Sequence, residues 1–341
     1  MTSKETIVTA LRGIADPSGG GDIITTERAG GIVVKDDGGV GLVLLVDGLA
    51  KDGAERLHAA VDLAVRRVPG VTAARIILTA ERGAAPAIRT GPVPGIRTIV
   101  AVASGKGGVG KSTVAVNLAV ALARRGLAVG LLDADIYGPS VPTLLGLTAR
   151  AQLDNNRLVP ATAFGIKALS MGMMTDPGKA IIWRGPMAAS AMTQMVDSGD
   201  WGLLDVLVVD LPPGTGDIQL TLAQKIKPTG AVIVSTPQDL ALIDARRAIA
   251  MFAEVGVPIL GLVENMSSFV CPSCGVATDI FGHGGAKDAA AAAGIAFLGA
   301  VPLDMALRLA SDAGVPPAAG DGPQATAFAA LAEHVATGLG L

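Results

Sequence analysis

The sequence predicts an α/β protein: a mostly parallel sheet covered by helices on both faces, preceded by a small α+β domain. Two observations carry that prediction. From Ile96 onward, short and wholly apolar runs such as TIVAVAS, VLVVDLP and AVIVSTP alternate with helix-like segments. That is the pattern of parallel strands buried on both sides. Upstream, residues 1–85 mix one-sided helical spacing with paired strand-like runs. The segment PAIRTGPVPG, residues 86–95, then separates the two parts with three prolines and two glycines.

The elements follow in order. IVTALRGI has helical spacing, and DPSGGGD reads as a turn. GIVVKDDGGVGLVLLVDG reads as two strands around a glycine-rich turn. AERLHAAVDLAVRRVPG is an amphipathic helix stopped by Pro-Gly, and ARIILTAE is a closing strand. Residues 96–341 open with the strand TIVAVAS, a glycine loop and the helix STVAVNLAVALARRG. Strands are then expected at LAVGLLDAD, VLVVDLP, AVIVSTP, ILGLVENM and IAFLGAVP, and AAAAAG reads as the end of an alanine-rich helix.

Composition excludes several functions. The formal charge of −3 and 17% charged residues make no general attractor for nucleic acid or anionic lipid. Aromatic residues are 3% of the chain, too few for base-stacking platforms. No apolar run approaches the length of a membrane span, and the first residues lack a signal-peptide pattern. A cytoplasmic protein with no nucleic-acid or membrane partner is expected.

GKGGVGKS, Gly105 to Ser112, fits the phosphate-loop pattern G-x-x-x-x-G-K-[ST] between a strand and a helix. Glycines let successive N–H groups turn toward one point, and the helix N-terminus adds positive potential there. Gly105, Lys106, Gly107, Gly108, Val109, Gly110, Lys111, Ser112 and Thr113 are therefore the expected ATP-binding residues. Lys111 would reach the β- and γ-phosphates, and the Ser112 hydroxyl would hold Mg²⁺. Asp133, Asp135 and Asp210 follow apolar strands, at the sheet edge where ligands bind in open α/β folds. Asp210 stands as a Walker-B aspartate does, and Asp133 can hold a magnesium-bound water. DLPPGTGD, Asp210 to Asp217, reads as a switch loop able to sense a γ-phosphate.

Lys106 is not required by the phosphate-loop pattern. KGGVGKST resembles the deviant phosphate loop of the MinD/ParA/nitrogenase-iron-protein class. The resemblance implies a Rossmann-like P-loop ATPase in which Lys106 reaches the nucleotide of a partner subunit and Asp135 orients the attacking water. DADIYGPSVPTLLGL, WRGPM, DLPPGTGDIQLTL, VSTPQDLAL, ENMSSFVCPSCG and IFGHGGA closely resemble the Mrp/ApbC family of iron–sulfur cluster carriers. DP at 16–17, DI at 22–23 and the element order make residues 1–85 similar to the MIP18-type domain of that family. The family implies a homodimer with slow ATP hydrolysis, an adenine contact at Asn265, donor or scaffold proteins and apo-protein recipients.

Cys271 and Cys274, in VCPSCG, are the only cysteines of the chain. Structural zinc and common iron–sulfur clusters want four ligands, and this chain offers two thiolates. A two-fold dimer would supply four. Thiolate chemistry alone leaves zinc and a cluster equally open; the family resemblance favours a [4Fe-4S] cluster bridging two subunits. His283 is a possible further ligand, although a loop histidine is commonly only solvated. Two rival readings remain: a ParA/MinD-type positioning ATPase, and a zinc-stabilised regulatory ATPase without cluster transfer. The first is disfavoured by AFAALAEHVATGLGL, which carries no Lys or Arg.

Overall fold

The computed structural model describes residues 3–26, 28–34, 38–46, 49, 51–79, 93–136, 138–154, 157–174 and 185–341. The chain falls into two compact units, Met1–Ala87 and Ile88–Leu341. Residues 86–92 of the expected linker, Tyr137, and Trp183–Arg184 of the WRGPM string lie outside the described residues.

In the first unit, α1 (Lys4–Leu11) and α2 (Lys51–Arg66) accompany a sheet of β1 (Ala29–Val34), β2 (Gly39–Leu45) and β3 (Ala73–Thr79). β1 and β2 are antiparallel, whereas β2 and β3 are parallel, so α2 is the crossover between them. Ser3 caps α1 by accepting the Thr6 N–H. Alternate residues Val40, Leu42 and Leu44 of β2 point into the core, where they join Leu57, Val61 and Val65, one face of α2.

One buried ion pair stands beside this core. The Arg28 guanidinium donates from Nε to Asp16 at 2.8 Å, and also reaches the Leu45 carbonyl and the Ser18 hydroxyl. Burial alone would raise the Asp16 carboxyl. Arg28 and the Ser18 N–H outweigh it and hold the group down at about 2. A carboxyl depressed in the fold stabilises above its unfolded value and loses that contribution as pH falls through the folded one. The pair should therefore contribute about 2 kcal/mol above pH ~4 and be lost toward pH ~2. Arg28→Ala should remove at least that much at pH 7, read as earlier release of residues 1–79 by pulse proteolysis in urea. An unchanged urea midpoint would count against the pair.

The second unit is built on β4 (Ile96–Ala103), β5 (Val129–Asp133), β8 (Ala161–Ala163), β9 (Ile166–Ser170), β10 (Leu204–Asp210), β11 (Gly230–Ser235), β12 (Ile259–Val270), β13 (Ala277–Thr278) and β14 (Phe297–Leu303). The spatial order is β12-β11-β4-β10-β5-β9-β8, with β14 beside β12 and β13 folded back on the end of β12. All pairings are parallel except β8 with β9 and β12 with β13. β6 (Gln152–Asp154) and β7 (Arg157–Val159) form a separate hairpin.

Both faces are covered, as the unbroken apolar strands require. One core packs the sheet against α5 (Gly185–Ser198), α6 (Asp217–Ile226), α7 (Asp239–Glu254) and α8 (Gly285–Ala293). The other packs it against α3 (Lys111–Arg124) and α10 (Pro323–Leu339). The short α4 (Val141–Leu144) and α9 (Met305–Asp312) complete the unit. No helix among the described residues is long and apolar enough to cross a membrane.

The expected strand ILGLVENM is longer than the sequence suggested. β12 continues through Ser267 to Val270, because Phe269 pairs with both Thr278 of β13 and Leu303 of β14. Such non-local pairing is invisible in a local apolar pattern.

Candidate functional site

The chain steps from β4 to β5 on one side, leaving room for β10 between them, and later crosses from β10 to β11 on the other. β4 is thus a topological switch point, and the crevice beyond its carboxyl end is the expected place for a ligand. The glycine loop lies there, between β4 and α3. Gly108 and Gly110 have φ of +81° and +79°, which ordinary side chains resist. Gly105 is required for space: a Cβ there would lie 2.1 Å from the Asp244 backbone of α7.

Parallel register brings the acidic residues to the same edge. Asp210 of β10 lies beside Asp133 of β5 and Val102 of β4. Lys111, 5% exposed, bonds its ammonium to Asp210 Oδ1 and lies 3.9 Å from Asp135 Oδ2 and 3.3 Å from Ser112 Oγ. Asp210 Oδ2 is buried without a hydrogen-bond partner among the described residues. Asp133 is fully buried; its oxygens accept from Ser170 Oγ at 2.9 Å and from the N–H groups of Asp135 and Val141.

One ammonium thus faces two buried carboxylates, Asp210 and Asp135, and a third, Asp133, lies beside Asp210. Burial, then the charge of Asp210, pushes the Asp133 carboxyl up to about 7. Burial also raises Asp210, against the pull of Lys111. A cation would relieve both, and the partnerless Asp210 oxygen beside the Ser112 hydroxyl fits Mg²⁺ chemistry. The loop expected to act as a switch, residues 211–216, leaves β10 along the same edge, where the Gly214 N–H donates to the Ser104 carbonyl at 2.9 Å. A groove of about 370 Å³ lined by Gly95, Arg97, Leu203 and Asp205 lies at the amino ends of the strands, away from these groups.

Of the other expected site residues, Asn265 is 7% exposed and its amide donates to the Val109 carbonyl at 2.8 Å. Lys106 is half-buried, and its ammonium has no ion-pair partner among the described residues. Cys271 and Cys274 sit on the turn between β12 and β13. That turn is closed by Gly275 N–H to Cys271 O at 2.8 Å and Cys271 N–H to Val276 O at 3.0 Å. N–H groups of Ser273 and Cys274 lower the Cys271 thiol, which favours the thiolate that binds metals. No group of three or more His, Cys, Asp or Glu suited to one metal ion occurs among the described residues, so no further ligand joins the pair. His283 is 75% exposed and 3.6 Å from Asp279.

Three contributors escaped the sequence reading. Ser170 holds Asp133 from β9, and the Asp244 backbone presses on Gly105; neither carries a local signal. Glu264, 1% exposed, accepts from Gly284 N–H at 3.2 Å and Ala286 N–H at 2.8 Å. A charged residue inside the apolar strand ILGLVENM was the available hint.

Residues 95–336 match the ParA family model, described as NUBPL iron-transfer P-loop NTPase. The chain belongs to that family. Residues 4–76 match the iron–sulfur cluster assembly protein family. An iron–sulfur cluster carrier protein of Synechocystis sp. is 42% identical over 345 residues, covering 98% of each chain. One of Pseudomonas fragi is 46% identical over 289 residues, covering 82% of this chain and 99% of its own. Among solved structures, a nucleotide-binding protein from Archaeoglobus fulgidus in complex with ADP has TM-score 0.58 at 43% identity, covering 64% of this chain and 87% of its own. The cell division ATPase MinD of Pyrococcus furiosus has TM-score 0.54 at 24% identity, covering 71% of this chain and 99% of its own, a likeness of fold. These matches bear out the resemblance to the Mrp/ApbC cluster carriers, with a MIP18-type domain at the N-terminus, that the sequence motifs led one to expect.

Proposed function

We propose that this protein is an ATP-hydrolysing iron–sulfur carrier of the cytoplasm. Two chains form a homodimer that holds a [4Fe-4S] cluster between them, receives it from a donor or scaffold protein and passes it to apo-proteins. The observation that carries this reading is a two-thiol turn, with no further ligand among the described residues, on a strand that also lines a phosphate-loop edge. Half a ligand set per chain calls for a second copy. Domain boundaries near residues 85 and 96 are part of the same proposal.

At the nucleotide edge, the loop N–H groups and Lys111 hold the phosphates. Asp135 orients the water that attacks the γ-phosphorus, and ADP leaves. Lys106 of each chain reaches the partner's nucleotide and stabilises charge on the transferred group. Ser112 and Asp210 would hold Mg²⁺, with Asp133 accepting from a metal-bound water; the ion supplies charge neutralisation on the phosphates. Asn265 borders the adenine.

Anaerobic reconstitution tests the reading. About two iron and two sulfide per chain are expected, with little zinc; one zinc per dimer and no sulfide would favour the zinc-stabilised alternative. Lys111→Ala should weaken ATP binding roughly tenfold to a hundredfold, as loss of a charged hydrogen-bond donor does. Unaltered binding would refute the assigned role of the loop.

A further inference from the structure

Three non-glycine residues among those described have positive φ: Phe164, Lys227 and Met266. Two have ordinary reasons. Phe164 lies in the turn between β8 and β9, and Lys227 ends α6 in a left-handed cap. Met266, at φ +57°, lies inside a strand. Methionine gains nothing from the left-handed region, and such strain persists only where the surroundings impose it.

The surroundings of Met266 are the phosphate loop. Asn265, the preceding residue, bonds Val109 O at 2.8 Å, and its Nδ2 lies 2.1 Å from where a Cβ on Gly110 would stand. Met266 Cε lies 3.8 Å from that same position. β12 therefore rests two side chains on the last residues of the loop before α3. Its ladder with β14 shifts register between Asn265 and Phe269, which marks the local break in the strand.

Beyond the break, Phe269 and Val270 pair with β13, and Cys271 follows directly. The chain returning from the cysteine turn is fastened as well. Glu264 receives the N–H groups of Gly284 and Ala286, and Gly285 is packed so closely on Pro237 that a Cβ would lie 2.7 Å from its carbonyl oxygen. Both legs of the cysteine hairpin are thus anchored at consecutive residues of β12, Glu264 and Asn265, the second of which touches the phosphate loop.

We propose that Met266 is a positioning residue through which occupancy of the phosphate loop sets the exposure and reactivity of the two cysteines. Movement of Val109 and Gly110 toward phosphates shifts Asn265 and Met266. The strained left-handed link then changes the direction in which β12 presents Cys271 and Cys274. Neither side chain of the link needs to touch the cargo. This inference rests on ATP binding at the loop.

Because the chain has two cysteines, both in this turn, thiol alkylation reads the hairpin without a loaded cluster. The experiment measures the alkylation rate of full-length, metal-free protein by a maleimide. It is run with and without a saturating, non-hydrolysable ATP analogue and Mg²⁺, with analogue binding measured separately by calorimetry. Wild-type protein should change its rate roughly fivefold or more, the lower range of common site-to-site coupling. Met266→Gly accepts the positive φ without strain and removes the side chain over Gly110. It should bind the analogue while its alkylation rate becomes insensitive to it. Met266→Leu, which keeps an apolar side chain there, should restore most of the response. Should Met266→Gly not fold, Met266→Asn serves in its place, because Asn tolerates the left-handed region. Wild-type protein that binds the analogue with no change in thiol rate overturns the inference. So does a glycine or asparagine variant that responds as wild type does. Failure of wild-type protein to bind the analogue would instead refute the nucleotide reading on which it rests.

Discussion

Cys271→Ala and Cys274→Ala should each abolish cluster retention while leaving ATP hydrolysis largely intact. Each substitution removes two of four thiolates from a symmetric dimer, and two thiolates do not hold a four-iron cluster. Hydrolysis should survive because the alanine is added on the β12–β13 turn, whereas the proposed phosphate chemistry belongs to Lys111, Asp135 and Asp210. The measurement is the visible absorbance and iron content of anaerobically reconstituted protein, beside phosphate release. Mixed dimers of wild-type and doubly substituted chains make the sharper case. They contain two thiolates in one chain and should lose the cluster as completely as the substituted homodimer. A full cluster in such mixed dimers would place the missing ligands within a single chain and refute the shared site.

The second large effect concerns Lys106. Its ammonium has no ion-pair partner among the described residues, in contrast to the buried and paired Lys111 beside the same loop. Lys106→Ala should retain nucleotide binding and lose hydrolysis by on the order of 10³-fold, as removal of a cation supplied in trans does in related chemistry. Asp135→Ala should also be inactive, for lack of a group to orient water. Mixing the two inactive chains should restore one working site per mixed dimer, in which Asp135 of one chain is served by the lysine of the other. Verified mixed dimers without activity would show that Lys106 works in its own subunit.

The features legible in the sequence were those with a local cause. Gly105–Ser112 follows from what a phosphate demands of a backbone, and its context needed only an apolar run before and a helical run after. Asp133 and Asp210 could be placed on one edge because both end apolar strands; their being direct neighbours came from the strand order, which no local pattern records. The buried partners are non-local for the same reason. Ser170 reaches Asp133 from β9, Asp244 presses on Gly105 from α7, and Lys111 leans on Asp210 from 99 residues away. The family resemblance implies an adenine contact for Asn265, and its amide is held by Val109 O, a partner 156 residues earlier in the chain. The extension of β12 to the cysteines depended on two partners that follow it in the sequence.

The Lys111 ammonium is bonded to the buried Asp210 carboxylate. A phosphate that takes another of its N–H groups would share the positive charge that Asp210 now holds. Asp210 would then share its counter-charge while fully buried beside two further carboxylates, Asp133 and Asp135. On the proposed reading, a divalent cation held beside Asp210 would restore that counter-charge and so strengthen triphosphate binding. Removal of the cation by a chelator should therefore weaken nucleotide binding, and calorimetry with and without the chelator reads the difference.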